Sequence, residues 1–381
     1  MSHTVLLLGA TGFVGGQILH KLITSPLSGP DSPSVGTVIA LVSGASKAAA
    51  VRSWESSLRS RSTSTVLQIE DVDRSTPQHW YNAVEQWSAN VDCVINAATS
   101  DDLDLTKAIN AGIIKAKHNG RKATLVHLSG VQLIESQPVG TYVETPNYND
   151  ADAKQIQSIA DSAAHRLIDL EIAKAISAGA FWGSIVCPAL IWGISSGPCK
   201  RYSAMVPDMV RKSLHNKRAT HVGDGTNRWI HVHIDECVDL ILALVADHLS
   251  NPSGAGRDHA LFGSFFFASH RDLVDFKTIA RAIGRVLARR GIVETDEPIS
   301  VPAPPFDAQQ KGVRIEDGQR SQEDQETDRK TPIWPCRTNC RCIASRGPAE
   351  LGWKCTRAYD DAAIEQDVEG ALDLILAESS T

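Results

Sequence analysis

A chain of 381 residues, 42% hydrophobic and 22% charged, is long enough for one large domain or a large domain with a smaller lobe, and has the make-up of a soluble globular protein. A formal charge of −6 offers no basic field to nucleic acid or an anionic membrane, so the expected partner is a small molecule. No stretch approaches an uninterrupted membrane span, and the opening MSHTVLLLGATGF has no basic flank or cleavage-like segment, so neither a membrane anchor nor a signal peptide is expected.

Apolar runs of four to nine residues recur along the first half: VLLL (5–8), TVIALV (37–42), TVLQI (65–69), VDCVI (91–95), TLVHLS (124–129) and GSIVCPALI (183–191). Runs apolar on both faces and separated by amphipathic segments, here 14–23, 83–88, 106–116 and 156–178, predict a parallel sheet covered on both sides. That is an α/β, doubly wound Rossmann architecture, expected over residues 1–190, with a smaller mixed C-terminal substrate lobe over 191–381 that sends elements back to the sheet. In the lobe, LVDFKTIARAIGRVLARRG (273–291) has a helical stripe ending at a glycine, whereas 306–332 has almost no large apolar residue and reads as a flexible insertion. No internal repeat is present.

The first strand runs into GATGFVGG, which places Gly9, Gly12 and Gly15 at a strand-to-helix turn. Such glycines allow a tight turn, close approach of backbone to a pyrophosphate and close packing of helix on strand, and the helix N-terminus favours the anion. A dinucleotide cofactor follows. At the end of the second strand, where an acid would grip the adenosine ribose of NAD, the chain reads ALVSGASKAAAVR, with Ser43 and Lys47 and no acid. NADP is therefore favoured, with NAD left open.

Two clusters invite a metal reading and do not sustain it. Cys336, Cys340, Cys342 and Cys355 are spaced C-x3-C-x-C-x12-C, which matches no paired zinc knuckle; with the other cysteines they read as reduced structural thiols of a cytoplasmic protein. His231 and His233 share a strand face in GDGTNRWIHVHIDE (223–236), with Asp235 expected as N-cap of the following helix. No metal is expected.

The chain resembles the extended and atypical short-chain dehydrogenase/reductase superfamily, in particular NAD-dependent epimerase/dehydratase-like and NmrA-like fungal oxidoreductases. The resemblance rests on GATGFVGG (9–16), VINAAT (94–99), HLSGV (127–131), PALIWG (188–193), WIHVHIDECVDLILALV (229–245) and CRCIASRGPAELGWKC (340–355), in that order. It implies that Gly9, Thr11, Gly12, Phe13, Val14 and Gly15 line the pyrophosphate, Ala97 and Ala98 lie beside the adenosine ribose and phosphates, and Pro188 opens an element closing over the nicotinamide. Ser129 falls where the family keeps a Ser or Thr that binds the substrate oxygen.

The resemblance also implies a catalytic Tyr with a Lys four residues later, and here it fails. Counted back from Glu171, the two positions hold Ala163 and Leu167, and no Tyr in the chain is followed by Lys at the fourth position. Another proton donor is needed: His165 on the same segment is the leading candidate, with Tyr142 and Tyr148 as rivals. The expected function is NAD(P)-dependent oxidoreduction of a small organic metabolite, in the manner of secondary metabolism. The alternatives are an NmrA-like dinucleotide-binding regulator without turnover and a nucleotide-sugar epimerase or dehydratase. Oligomeric state is left open.

Overall fold

The computed structural model describes residues 2–27, 32–58, 63–137, 139–302 and 334–378. The low-apolar segment 306–332 lies outside the described residues. Strands β1 (Ser2–Leu8), β2 (Ser34–Val42), β3 (Val66–Asp71), β4 (Cys93–Asn96) and β5 (Thr124–Leu128) alternate with helices α1 (Phe13–Thr24), α2 (Ala45–Ser57), α3 (Pro77–Ser88) and α4 (Leu103–His118). After β5 come the two-residue β6 (Tyr148–Asn149), α5 (Ala153–Ser158), α6 (Arg166–Ser177), β7 (Trp182–Pro188) and β8 (Leu190–Trp192). Beyond residue 190 follow α7 (Met205–His215), β9 (Thr220–Val222), β10 (Arg228–His233), α8 (Ile234–Ser250), β11 (Phe265–Ala268), β12 (Leu273–Asp275) and α9 (Phe276–Arg289). Then come β13 (Ile299–Val301), β14 (Cys342–Ile343), α10 (Arg346–Leu351) and α11 (Asp361–Glu378).

Seven strands form one sheet in the order β3-β2-β1-β4-β5-β7-β11, all parallel. The order reverses between β1 and β4, the switch point at which open α/β sheets bind ligands beyond the carboxyl ends of their strands. The apolar runs explain the sheet: Val5 to Leu8 and the whole of β4 and β7 are buried on both faces. Full burial of each Leu in β1 is worth about 1.5–3 kcal/mol relative to exposure. The edge strand β11 comes from beyond residue 190, and α8 packs with α1. Around the lobe, β12-β10-β8 make a three-stranded sheet, while β13 pairs β9 and β14 pairs β6.

Several boundaries differ from those the sequence predicts. The helix expected over 156–178 is broken: α5 ends at Ser158 and α6 starts at Arg166, because His165 sits in a left-handed conformation (φ 64) as the N-cap of α6. The strand expected over 183–191 stops at Pro188, and Leu190 opens β8, which pairs with β10 instead. Leu273 belongs to β12 rather than to the helix, since the Asp275 carboxylate caps α9 by accepting from the Thr278 N–H at 2.8 Å. The N-cap of α8 is His233, whose Nδ1 accepts from the Asp235 N–H at 3.1 Å; Asp235 is the second residue of the helix and pairs with Lys21 and Arg357.

Candidate active site

The glycine turn stands at the switch point. Gly9 has φ 87, and a Cβ there would come within 2.3 Å of the Ala97 carbonyl oxygen just past β4; a Cβ on Gly15 would come within 2.1 Å of the Gly9 oxygen. Gly12 caps α1, donating its own N–H to the Gly9 carbonyl at 2.8 Å, and no side chain caps the helix. The first turn of α1 is thus an anion cradle: backbone donors uncovered by a capping side chain, a helix dipole, and room that only glycine leaves. Thr11, Phe13 and Val14 line this turn, and Ala97 and Ala98 face it from the residues following β4, the Ala97 N–H bonded to the Leu8 carbonyl at 3.1 Å and the Ala98 N–H to Asn96 Oδ1 at 3.2 Å. These residues fit a dinucleotide pyrophosphate.

A loop from the lobe covers the same turn. Pro188 ends β7, and the loop beyond Gly193 crosses α1 so closely that a Cβ on Gly197 would lie 2.5 Å from Gly16 Cα. The Ser196 N–H donates to Gln17 Oε1 at 2.6 Å, the Trp54 indole N–H to the Ser196 carbonyl at 2.9 Å, and the Lys200 N–H to the Thr11 carbonyl at 3.3 Å. Beyond the end of β2, Lys47 Nζ reaches Ser43 Oγ at 3.4 Å. Asp71, at the end of β3, brings a carboxylate to the same place and accepts from the Gly44 N–H at 2.7 Å, a contact that sequence inspection of β2 alone does not show.

The other end of the cleft gathers around β5. Ser129 follows this strand, its N–H bonded to the Val186 carbonyl at 2.8 Å, and its Oγ lies 2.9 Å from Asp169 Oδ2 on the first turn of α6. Asp169 is fully buried, which pushes its carboxyl up to about 7 against the pull of Ser129, His165 and Arg166. The His165 Nδ1 is 2.7 Å from Asp101 Oδ1, and its Nε2 would be 3.4 Å from a Cβ on Gly130, so the ring lies over the residue after Ser129. The bond from His165 holds the Asp101 carboxyl below its usual value. Behind them the buried His127 shares a 3.0 Å contact with Asn96, and burial lowers it to about 3.

His165 and Ser129 are therefore brought together, with Asp101 and Asp169 as partners that no sequence spacing announces. Ala163 lies in the loop before α6, partly buried, and Leu167 is 62% exposed in its first turn, so neither supplies a donor. Tyr142 is placed elsewhere, under the Arg228 guanidinium with its hydroxyl bonded to Glu144 and its backbone N–H to Thr226. Among the described residues no contact joins it to Ser129 or His165. Tyr148 lies in β6 opposite Cys342.

The thiols of the lobe are dispersed: Cys340 donates to the Val131 carbonyl, Cys342 to Ser269 and Cys355 to Glu236. Among the described residues no three metal-ligating side chains come together. A cavity of about 620 Å³, within the size range of small-molecule sites, is lined by Ile230, Ser269, His270, Leu273, Arg341 and Cys342. Burial raises the Cys187 thiol well above its usual value, with smaller influences from Asp169, Ser129 and the Cys342 of the cavity wall.

Known proteins share this fold. The family model described as NAD dependent epimerase/dehydratase family matches residues 5–255. A curated relative, Oxidase ucsJ from an Acremonium species, is 21% identical over 315 residues, covering 80% of this chain and 84% of that protein. A double mutant of dTDP-glucose 4,6-dehydratase from Streptomyces venezuelae, solved with NAD, superposes with a TM-score of 0.61 at 14% identity over 96% of this chain and 95% of that one. UDP-glucose 4-epimerase from Thermotoga maritima gives 0.56 at 11% identity over 98% and 99%. The structural likenesses carry the fold.

Proposed function

This chain belongs to the NAD dependent epimerase/dehydratase family, and from that membership and the geometry of its site we propose that it is an NADP(H)-dependent oxidoreductase of a small organic metabolite that works without a Tyr-x-x-x-Lys pair. The carrying observation is the Asp101–His165 contact beside Gly130, made from the segment entering α6 in which Ala163 and Leu167 leave the usual donor unfilled. A bound nicotinamide would supply the hydride. Asp101 orients the imidazole through Nδ1, His165 offers Nε2 to the reacting oxygen, and Ser129 hydrogen-bonds that oxygen. The cavity beside Cys342 gives the substrate room in the lobe, and the oxidase relative supports redox chemistry over epimerisation. Ser43 and Lys47 support the choice of NADP(H), against the neighbouring Asp71. The free cysteines suit a reducing cytoplasm.

The test is calorimetry followed by turnover. NADP(H) should bind at least about tenfold more tightly than NAD(H), roughly 1.4 kcal/mol, and NADPH should be consumed on addition of carbonyl compounds. Equal affinities would refute the cofactor choice. Tight binding with no consumption across a carbonyl panel would instead mark a dinucleotide-sensing regulator.

A further inference from the structure

Asp169 is an unusual partner for a hydroxyl assigned to substrate. Its side chain is fully buried, its Oδ2 meets Ser129 Oγ at 2.9 Å, and its Oδ1 has no hydrogen-bond partner. Among the described residues it makes no ion pair. The neighbouring Arg166 points Nη2 at the Ile156 carbonyl at 2.9 Å, leaves Nε and Nη1 without partners and lies over the Phe262 ring. The groups that act on the carboxyl are Ser129 beyond β5, Cys187 on β7, His165 and Arg166 at the start of α6, and Asp101 beyond β4.

A serine hydroxyl has one proton to donate. If Asp169 is ionised, Ser129 must donate to it and is left to accept from anything else. If Asp169 carries a proton, the same oxygen separation lets the carboxyl donate to Ser129 Oγ, and the serine proton is freed. We propose that Asp169 is a positioning residue whose proton decides which way the Ser129 hydroxyl points, toward Asp169 when the carboxylate is bare and toward the reacting oxygen when it is protonated. This rests on the oxidoreductase reading above for the identity of that oxygen. A carbonyl oxygen needs a donor, so the protonated form suits reduction; an alcohol needs an acceptor, so the ionised form suits oxidation. Burial places the changeover at about 7, where a modest change of pH alters the balance.

The experiment is an infrared titration of the full chain from about pH 5 to about pH 9, following the carbonyl band of a protonated carboxyl. Burial also raises the Asp367 carboxyl to about 7, so the signal is the wild-type minus Asp169→Asn difference, which should show a band that disappears as pH rises. Ser129→Ala should move its midpoint upward, because the hydroxyl stabilises the ionised form. If Asp169→Asn does not fold, the Ser129→Ala shift alone decides. A wild-type minus Asp169→Asn difference with no titrating band, or a midpoint that Ser129→Ala leaves in place, overturns the proposal. Turnover gives the second readout: kcat/KM for reduction of an aromatic aldehyde by NADPH should fall, and that for oxidation of the matching alcohol by NADP+ should rise, through an inflection at about 7 in the wild type that is absent from both profiles of Asp169→Asn. A purely structural aspartate would lower both rates without changing those profiles. Absence of turnover in every protein sinks the oxidoreductase reading and leaves the infrared result standing, so the two failures are distinguishable.

Discussion

His165 Nδ1 and Asp101 Oδ1 lie 2.7 Å apart, which fixes the nitrogen of the imidazole left for chemistry. With the carboxylate accepting from Nδ1–H, Nε2 is the free nitrogen, and it is the one beside Gly130. Loss of the ring in His165→Ala should reduce the rate by about 10²-fold or more, the lower end for removal of a general acid, with dinucleotide affinity little changed. Asp101→Asn should give a smaller loss through disorder of the ring. Tyr142→Phe should be neutral, since its hydroxyl is occupied by Glu144. Steady-state kinetics on the three variants decide: full activity in His165→Ala with a loss in Tyr142→Phe would transfer the donor role to the tyrosine.

The three glycines of the turn make different demands, and this allows cofactor binding to be separated from folding. A Cβ on Gly9 or Gly15 would overlap backbone at 2.3 and 2.1 Å, whereas at Gly12 the nearest atom is the Gly9 oxygen at 3.1 Å. Gly12→Val should therefore keep the fold and fill the space that a pyrophosphate would enter, while Gly15→Val should fail to fold. Calorimetry with NADPH and thermal unfolding of each variant check this. Wild-type affinity in a folded Gly12→Val protein would show that the turn is structural only.

The sheet was legible because each of its central strands is apolar on both faces, and the glycine turn because its spacing encodes a backbone requirement. The polar site was not. The sequence SIADSAAHR (158–166) contains neither Gly nor Pro, so periodicity runs straight through it; the break before α6 comes from tertiary bonds, His165 to Asp101 and Arg166 to the Ile156 carbonyl. Asp101 lies 64 residues from His165 and Asp169 lies 40 from Ser129, separations that carry no local signal. Capping was misassigned for a related reason: an Asp outranks a His as an N-cap by propensity, yet at α8 the Asp235 side chain is drawn to Lys21 and Arg357, and His233 takes the cap.

His231 provides a prediction on stability. Its ring is buried on β10, stacked on Tyr359 at 4.7 Å and 35°, and neither ring nitrogen finds a well-formed hydrogen bond. Burial lowers its pKa from 6.5 to about 3, against a weak pull from the Trp229 carbonyl. A histidine depressed in the folded state contributes stability that is present above its unfolded value and lost as pH falls through the interval down to its folded value, because the unfolded chain takes up the proton first. His231→Phe keeps a ring against Tyr359 and removes both the unpartnered nitrogens and this titration. The variant should be more stable than the wild type near neutrality, by about 1–3 kcal/mol for the relieved polar burial. The advantage should then grow on acidification, by up to about 1.4 kcal/mol per pH unit below about 6.5. Urea unfolding of both proteins at about pH 7 and about pH 5 measures it. An advantage of the same size at both pH values would mean that His231 is not the neutral, buried ring described here.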